Sequence, residues 1–184
     1  VRALWEHGPV RVTELADRLD MASSTIHSHL ATLAEEEFVA KDGDFYRLSL
    51  EFLRLGTHVR NLRDEHQVIQ SYTKQLAGET DCRAVFLVEE HGLGVYLCRV
   101  RGDRAVNVAA STGTRVYLHS TAPGKAILAP SSESHVEDVL SERGTPADTE
   151  RTTTDPDALT TQLTDTPDRA VPFYPAQRPA GHCG

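Results

Sequence analysis

The spacing of apolar residues changes along the chain and divides it into helical and strand-like parts. Helical spacing over 13–33 predicts two short helices joined by a tight turn, and alternation over 38–48 predicts a small β-hairpin. Helical spacing returns over 50–76, a period of two follows over 84–109, and further helices are predicted within 119–163. This order of elements predicts an α+β fold.

The first two predicted helices each have one buried side. Ile26, Leu30 and Leu33 fall on one stripe of the second helix, a pattern typical of a helix packed on a core. We expect Thr13 to cap the first helix, and Ser23 or Ser24 to cap the second.

Short hydrogen-bonding side chains surround the rest of the second helix: Ser24 and Ser28 point away from the stripe, and Thr25 and His27 lie on its flanks. A helix that buries aliphatic residues on one side and presents such groups on the other suits the major groove of DNA. The pattern therefore predicts a helix-turn-helix that binds DNA.

The hairpin supports this interpretation. Strand-like segments 38–41 and 45–48 are separated by Asp42-Gly43-Asp44, and Asp-Gly is a strong hairpin signal. A helix-turn-helix followed by a hairpin is a winged helix, whose wing contacts phosphates. The predicted DNA-contacting residues are Thr13, Ser23, Ser24, Thr25, His27, Ser28, Lys41 and Arg47.

A helix–hairpin unit of this kind can also pack against another protein. A winged-helix interaction module without DNA binding is therefore the alternative to a DNA-binding regulator. Loss of gel shifts on all genomic fragments at low salt would favour that alternative.

Two amphipathic segments follow the wing, one from Leu50 to Leu62 and one that places Val68, Ile69, Tyr72 and Leu76 on a single face. They are predicted to be linker helices between two domains. From pattern alone, each could equally be packed on its own domain.

The remainder predicts antiparallel strands followed by helices. Strands are expected at 84–89 and 95–100, joined through 90–94, with a third at 105–109. Helices are expected at 119–129, 133–140 and 156–163. The first should be capped by Ser120 or Thr121, and the last by Asp155 with Pro156 at its first position.

The net charge of −8 is unusual for a DNA-binding protein. Even the first 66 residues contain eight Lys and Arg against twelve Asp and Glu. DNA binding would therefore need a local basic patch, for which Arg11, Arg18, Lys41 and Arg47 are available. Three lysines against sixteen arginines, with this acidity, indicate a salt-adapted proteome.

Other classes of function find little support in the composition. No apolar run is long enough for a membrane span and no signal peptide opens the chain, which predicts a cytoplasmic protein. The three cysteines lack the Cys-x-x-Cys spacing of a zinc site, so no metal or cofactor is expected. Gly124-Lys125-Ala126 lacks the spacing of a phosphate-binding loop. No catalytic residues are predicted, and a small hydrolase or transferase is the least supported alternative.

Several segments together resemble the IclR-type transcription regulators. They are Thr13–Leu19, Ser24–His27, Leu33–Phe38, Tyr46–Leu50, Leu118–Ala129 and Thr152–Pro156. The resemblance implies a winged helix-turn-helix at 1–49, linker helices at 50–78 and a GAF-like effector-binding domain at 79–184. It also implies a homodimer or homotetramer that binds a palindromic operator in double-stranded DNA.

The resemblance further implies that the loop beginning at Leu118 lines an effector pocket. Backbone N–H groups at the start of the following helix, together with Ser120 and Thr121, suit a small organic acid. The alternative is that these hydroxyls only cap the helix. The predicted effector-binding residues are Leu118, His119, Ser120, Thr121, Ala122, Gly124 and Cys183.

Both ends of the chain are expected to be incomplete. The sequence opens within a predicted helix, and three prolines occupy 171–184, where the resembled family has strands. We therefore expect an incomplete effector domain.

Overall fold

The computed structural model describes residues 1–62, 66–102 and 111–164. The chain divides into two compact units, Val1–Asp64 and Glu65–Gly184, and each is described by itself. Within the described residues, no helix is both long enough and apolar enough to cross a membrane. The predicted mixed α+β architecture is confirmed.

The first unit is a helix-turn-helix followed by a two-stranded wing and one further helix. In chain order its elements are α1 (Arg2–His7), α2 (Val12–Leu19), α3 (Ser23–Glu35), β1 (Val39–Asp42), β2 (Phe45–Leu48) and α4 (Glu51–Asn61). Its core consists of Leu4, Val10, Leu15, Ala16, Ile26, Leu30, Val39 and Tyr46. The predicted buried stripe on α3 is therefore confirmed.

The predicted helix caps in this unit are wrong. α2 begins at Val12, because Val12 packs against the core and the Arg11 backbone N–H donates to Glu14 Oε2 at 3.2 Å. Thr13 therefore lies inside the helix. α3 begins with backbone hydrogen bonds from Thr25 and Ile26 to the Ala22 carbonyl, so neither of the following serines is a cap.

The wing is tighter than the sequence predicts. β1 and β2 are antiparallel, and Asp42 pairs with Phe45 instead of belonging to the turn. The turn is Gly43-Asp44, and Gly43 has a φ of 56°, which glycine adopts without strain. A bridge from Val10 to Tyr46 joins β2 to the segment before α2.

The second unit contains a three-stranded antiparallel sheet and helices. Its elements are α5 (His66–Thr80), β3 (Arg83–Glu90), β4 (Leu93–Arg101), β5 (Arg115–Tyr117), a 3-10 turn (Leu118–Ser120), α6 (Ala122–Leu128), α7 (Glu133–Arg143) and α8 (Pro156–Thr164). The strand order is β3-β4-β5. Its core consists of Leu87, Tyr96, Val116, Leu118, Leu128, Val136, Val139, Leu159 and Leu163.

The sheet differs from the prediction at two places. The β3–β4 connection is the two-residue turn His91-Gly92, both with positive φ, because the strands pair up to Glu90 and Leu93. β5 was not predicted, and it pairs with the start of β4. The third strand predicted at 105–109 lies outside the described residues.

The three helices predicted after the sheet are present, but α6 begins at Ala122 and not at 119, because Leu118–Ser120 form a separate 3-10 turn. Thr121 caps α6, with its hydroxyl accepting the Gly124 N–H at 3.1 Å. At α8, Asp155 accepts the N–H of Asp157 at 3.1 Å, and Pro156 takes the first helical position. α7 extends to Arg143.

The two predicted linker helices fall in different units. α4 belongs to the first unit and α5 to the second. α5 buries Thr73 and Ala77. Of the apolar residues predicted to share its face, Val68, Tyr72 and Leu76 are exposed and Ile69 is half-buried. The division of the chain at 1–49, 50–78 and 79–184 stays a prediction.

Candidate functional site

The outer side of α3 is polar and fully accessible. Ser24, Thr25, His27 and Ser28 are exposed, as is Ser23 at the first position of the helix. The buried partners on the opposite side fix this orientation, because an α-helix turns by about 100° per residue. The four predicted base-reading side chains therefore share one accessible surface.

A cleft of about 260 Å³ lies beside this surface, between α2, α3 and the wing. Its walls include Thr13 and His27 from the helices and Lys41 and Tyr46 from the wing. The fold thus brings together three predicted DNA-contacting residues that are distant in sequence. Arg11 also lines this cleft.

Aromatic rings position the two cations of the cleft. The Arg11 guanidinium lies 4.8 Å from the centroid of the Phe45 ring, and Lys41 Nζ lies 5.5 Å from that of Tyr46. Such contacts favour a cation over the ring face and leave its outer side accessible. Asp44 also lines the cleft, so its two cations face one carboxylate.

Arg47 is not among the residues that line the cleft. It follows Tyr46 in β2, and successive side chains of a strand point to opposite faces. Its guanidinium donates to the Leu48 carbonyl at 3.3 Å. Arg47 is exposed, so it offers a separate cation on the other face of the wing.

In the second unit, the predicted effector loop is buried. Leu118, His119, Ser120 and Thr121 are each at most 4% exposed. Ala122 is half-buried and Gly124 is buried. The structure thus brings these residues together, whereas Cys183 lies outside the described residues.

The polar groups of the loop already have partners within the protein. His119 Nε2 lies 3.1 Å from the Pro146 carbonyl. Ser120 Oγ lies 3.1 Å from the Tyr117 carbonyl and 3.4 Å from Asp148 Oδ2. Burial lowers the pKa of His119, which favours a neutral imidazole.

The first turn of α6 offers few backbone donors. Pro123 has no N–H, the Gly124 N–H donates to the Thr121 hydroxyl, and the Lys125 N–H donates to the Thr121 carbonyl. Gly124 must be glycine, because an added Cβ would lie 2.3 Å from the Leu118 carbonyl oxygen.

Lys125 is a buried cation that the sequence analysis did not assign to the site. Its side chain is fully buried, and Nζ donates to Gln162 Oε1 at 2.8 Å. Gln162 Nε2 in turn donates to Thr153 Oγ1 at 3.1 Å, so the network joins α6 to α8. Burial lowers the pKa of Lys125 to about 8. The available signal was a lone charge in the otherwise apolar segment Ala122–Leu128.

Within the part of the chain that the structure describes, no three His, Cys, Asp or Glu side chains come close enough together to hold a metal ion. Cys98 is a buried free thiol.

Two family models match the chain. The model described as "IclR helix-turn-helix domain" matches residues 2–43, and that described as "Bacterial transcriptional regulator IclR C-terminal" matches residues 58–173. The first match covers the helix-turn-helix and the second covers most of the second unit.

A curated relative and two solved structures are similar over most of the chain. The "Probable HTH-type transcriptional regulator ArcR" of Halobacterium salinarum is 30% identical over 167 residues, which cover 89% of this chain and 64% of that protein. The crystal structure of a regulator titled IcIR from Alicyclobacillus acidocaldarius matches with a TM-score of 0.70 and 26% identity, covering 89% of this chain and 67% of the other. An IclR homologue from Microbacterium hydrocarbonoxydans, complexed with 4-hydroxybenzoate, matches with a TM-score of 0.66 and 23% identity, covering 84% of this chain and 65% of the other. The chain therefore spans slightly less than two thirds of the length of its curated relative.

Proposed function

The chain belongs to the IclR family of transcriptional regulators, and from this premise we propose that it is a DNA-binding regulator that responds to a small organic acid. The observation that carries the DNA-binding part is the accessible polar side of α3 next to a cleft with two ring-positioned cations. We infer that the protein is a regulator and not an enzyme, and that it acts in the cytoplasm.

The outer side of α3 and the cleft with the wing have different roles in DNA binding. Ser24, Thr25, His27 and Ser28, with Ser23 at the helix start, contact base edges in the major groove. Thr13 and Lys41 in the cleft, and Arg47 on the other face of the wing, contact phosphates, which position the protein without reading sequence.

The test uses α3 variants on duplexes selected from a randomised pool by the full chain. Ser24→Ala combined with His27→Ala should reduce discrimination between selected and unselected duplexes by about 1–3 kcal/mol. His29→Ala is the matched control. His29 is equally exposed on α3 but borders the groove formed with α1 and α2, so discrimination should be unchanged.

Gel-shift titrations with competitor DNA measure the effect. An equal loss in both variants would contradict the assignment of base reading to this side of α3. If the unsubstituted chain shifts no duplex even at low salt, the winged helix is a protein-interaction module instead.

We further propose that the DNA-bound form is a homodimer on a palindromic operator, and that a homotetramer can assemble from such dimers. Large exposed apolar residues on the segment that contains α4 support a second copy as its partner. These residues are Leu50, Leu53, Val59 and Leu62, each at least 62% exposed. Half-sites about one helical turn apart, or a multiple of it, would suit two recognition helices.

The effector site is proposed at the buried loop before α6. Its residues are Leu118, His119, Ser120, Thr121, Ala122 and Gly124, with Cys183 as a further candidate. The buried Lys125 supports an anionic ligand, because a desolvated ammonium favours negative charge nearby. The homologue complexed with 4-hydroxybenzoate gives a first compound of this class to try.

Calorimetry of the full chain with 4-hydroxybenzoate and other small carboxylic acids tests this site. Where an acid binds, Ser120→Ala and Thr121→Val should each weaken it about tenfold, the loss expected for one hydrogen bond to a charged group. Ser131→Ala, near the other end of α6, is the matched control. Unchanged affinity in both loop variants would place the effector elsewhere.

A further inference from the structure

α4 contacts the rest of the DNA-binding unit at its first turn. No side chain of this helix is fully buried. Phe52 and Leu55 are half-buried, as is Arg60 near the end of the helix, whereas Val59 and Leu62, which continue the face of Phe52 and Leu55, are 62% and 65% exposed. The apolar face of α4 therefore becomes more exposed from its first turn towards its end.

The attachment is a compact set of contacts, here called the joint, formed by Glu37, Phe38, Ser49, Glu51 and Phe52. The rings of Phe38 and Phe52 pack with centroids 5.5 Å apart and planes tilted by 48°. Ser49 Oγ donates to the Glu37 carbonyl and accepts the Glu51 N–H at 3.1 Å, so that it links the first residue of α4 to Glu37. The Ser49 N–H also donates to the Phe38 carbonyl at 3.0 Å.

The joint is directly continuous with the recognition helix. The Phe38 N–H donates to the carbonyl of Leu33, in the last turn of α3, at 2.9 Å. Glu37 between them has a φ of 60°, a conformation that is uncommon for a residue with a side chain and that turns the chain sharply. One small group of residues thus fixes the end of α3, the base of the wing and the start of α4.

We propose that this joint determines the distance between DNA half-sites that the protein accepts, by fixing the angle between α4 and the recognition helix. The inference rests on the proposed function, in which α4 of one copy packs on a second copy. α4 is ~16 Å long at 1.5 Å per residue, so a swing of ~10° at the joint moves its far end by ~3 Å. That displacement is close to the rise of one base pair, about 3.4 Å.

The experiment compares the full chain with joint variants on duplexes of varied spacing. The probe is a pool in which two inverted copies of the selected half-site are separated by spacers of every length up to one helical turn. For the unsubstituted chain we expect a preference of about tenfold for its best spacing over neighbours one base pair longer or shorter, within the range that DNA deformation costs. Ser49→Ala and Phe52→Ala should each reduce this preference to about twofold, because both loosen the joint.

Two controls separate the joint from the fold and from dimer strength. Leu53→Ala removes an apolar side chain from the same turn of α4, but Leu53 is 67% exposed and lies away from the joint face. It should change affinity at all spacings by the same factor. A duplex with a single half-site should bind the unsubstituted chain and both joint variants within about twofold, since α3 and the wing are intact.

The outcomes distinguish the inference from the proposed function. Spacing preference lost in both joint variants, with single-site binding retained, supports the inference. A wild-type spacing profile in both variants, or a parallel loss of single-site binding, overturns it. If the unsubstituted chain binds no duplex at any spacing, the proposed DNA-binding function fails and the inference fails with it.

Discussion

The Lys125 side chain is fully buried in the second unit and donates to Gln162. Removal of an ammonium group from water is costly, which is why burial lowers its pKa from 10.5 to about 8. In the unfolded chain the same group keeps its proton up to the higher value. Between these two values the unfolded state therefore binds more protons than the folded state.

This difference predicts a pH-dependent gain in stability. As pH rises from about 8 to 10.5, the contribution of Lys125 to the free energy of unfolding increases, by at most about 3 kcal/mol. Lys125→Met lacks the titrating group, so the unsubstituted chain should gain stability relative to this variant across that window. Urea unfolding of both proteins at about pH 7 and pH 10.5 measures the change in the difference.

Lys74→Met provides the matched control, because Lys74 is an exposed lysine on α5. The difference in free energy of unfolding between Lys74→Met and the unsubstituted chain should be the same at both pH values. If the difference in free energy of unfolding between Lys125→Met and the unsubstituted chain is independent of pH as well, Lys125 is not a desolvated cation.

At the residue scale, the sequence predicted what depends on neighbours within one helix. The exposed side of α3 followed from the spacing of Ile26 and Leu30, because helical geometry alone relates them. The burial of Lys125 could not be predicted in this way, since its partner Gln162 lies on a helix 37 residues away. The predicted caps of α2 and α3 were wrong because core packing and backbone hydrogen bonds determine where each helix starts.

Helices and strands followed the hydrophobic period where they were long enough to show it. β3 and β4 were predicted from alternation, whereas β5 has three residues and is defined by its pairing with β4. α4 was predicted despite Gly56 in its interior, where glycine costs helix stability relative to alanine. The element can therefore be tested at that glycine.

Gly56→Ala should stabilise the first unit by about 0.5–1 kcal/mol, because an added Cβ meets no described atom within 4 Å and alanine favours the helix. The wing supplies the contrasting case. Gly43→Ala also meets open space, but Gly43 has a positive φ, so this change should destabilise by about 1–2 kcal/mol. Denaturant unfolding of both variants measures the pair. If both substitutions change the free energy of unfolding in the same direction, backbone conformation is not what distinguishes these two positions.

For the whole molecule, the net charge of −8 opposes binding to the negatively charged backbone of DNA. The charges that favour binding are local, chiefly Arg11, Lys41 and Arg47, and acidic residues elsewhere repel the phosphates. At physiological salt, charges more than about 8 Å apart are largely screened from each other, so distant acidic residues weaken the local attraction little. Binding should therefore depend on a few contacts and not on the overall field.

This arrangement predicts a shallow salt dependence. If Arg11 contacts phosphate together with Lys41 and Arg47, each protomer has three such cations, and the slope of log Kobs against log salt should be no steeper than about −2.7 per protomer. Lys41→Ala should reduce its magnitude by about 0.9 per protomer, and equally for all sequences. Titration of binding against salt measures both values. A markedly steeper slope would mean that cations outside this set contact the DNA.

The bridge between Val10 and Tyr46 has a consequence for the entropy of binding. Two backbone hydrogen bonds of 3.1 and 2.8 Å hold the wing to the segment before α2, so the hairpin is tied to its domain at a point other than its two ends. A surface that is ordered before it meets its ligand loses less conformational entropy on association. On the proposed DNA-binding function, the wing is therefore held in place before it meets DNA, and its contacts lose less conformational entropy than those of an untethered hairpin.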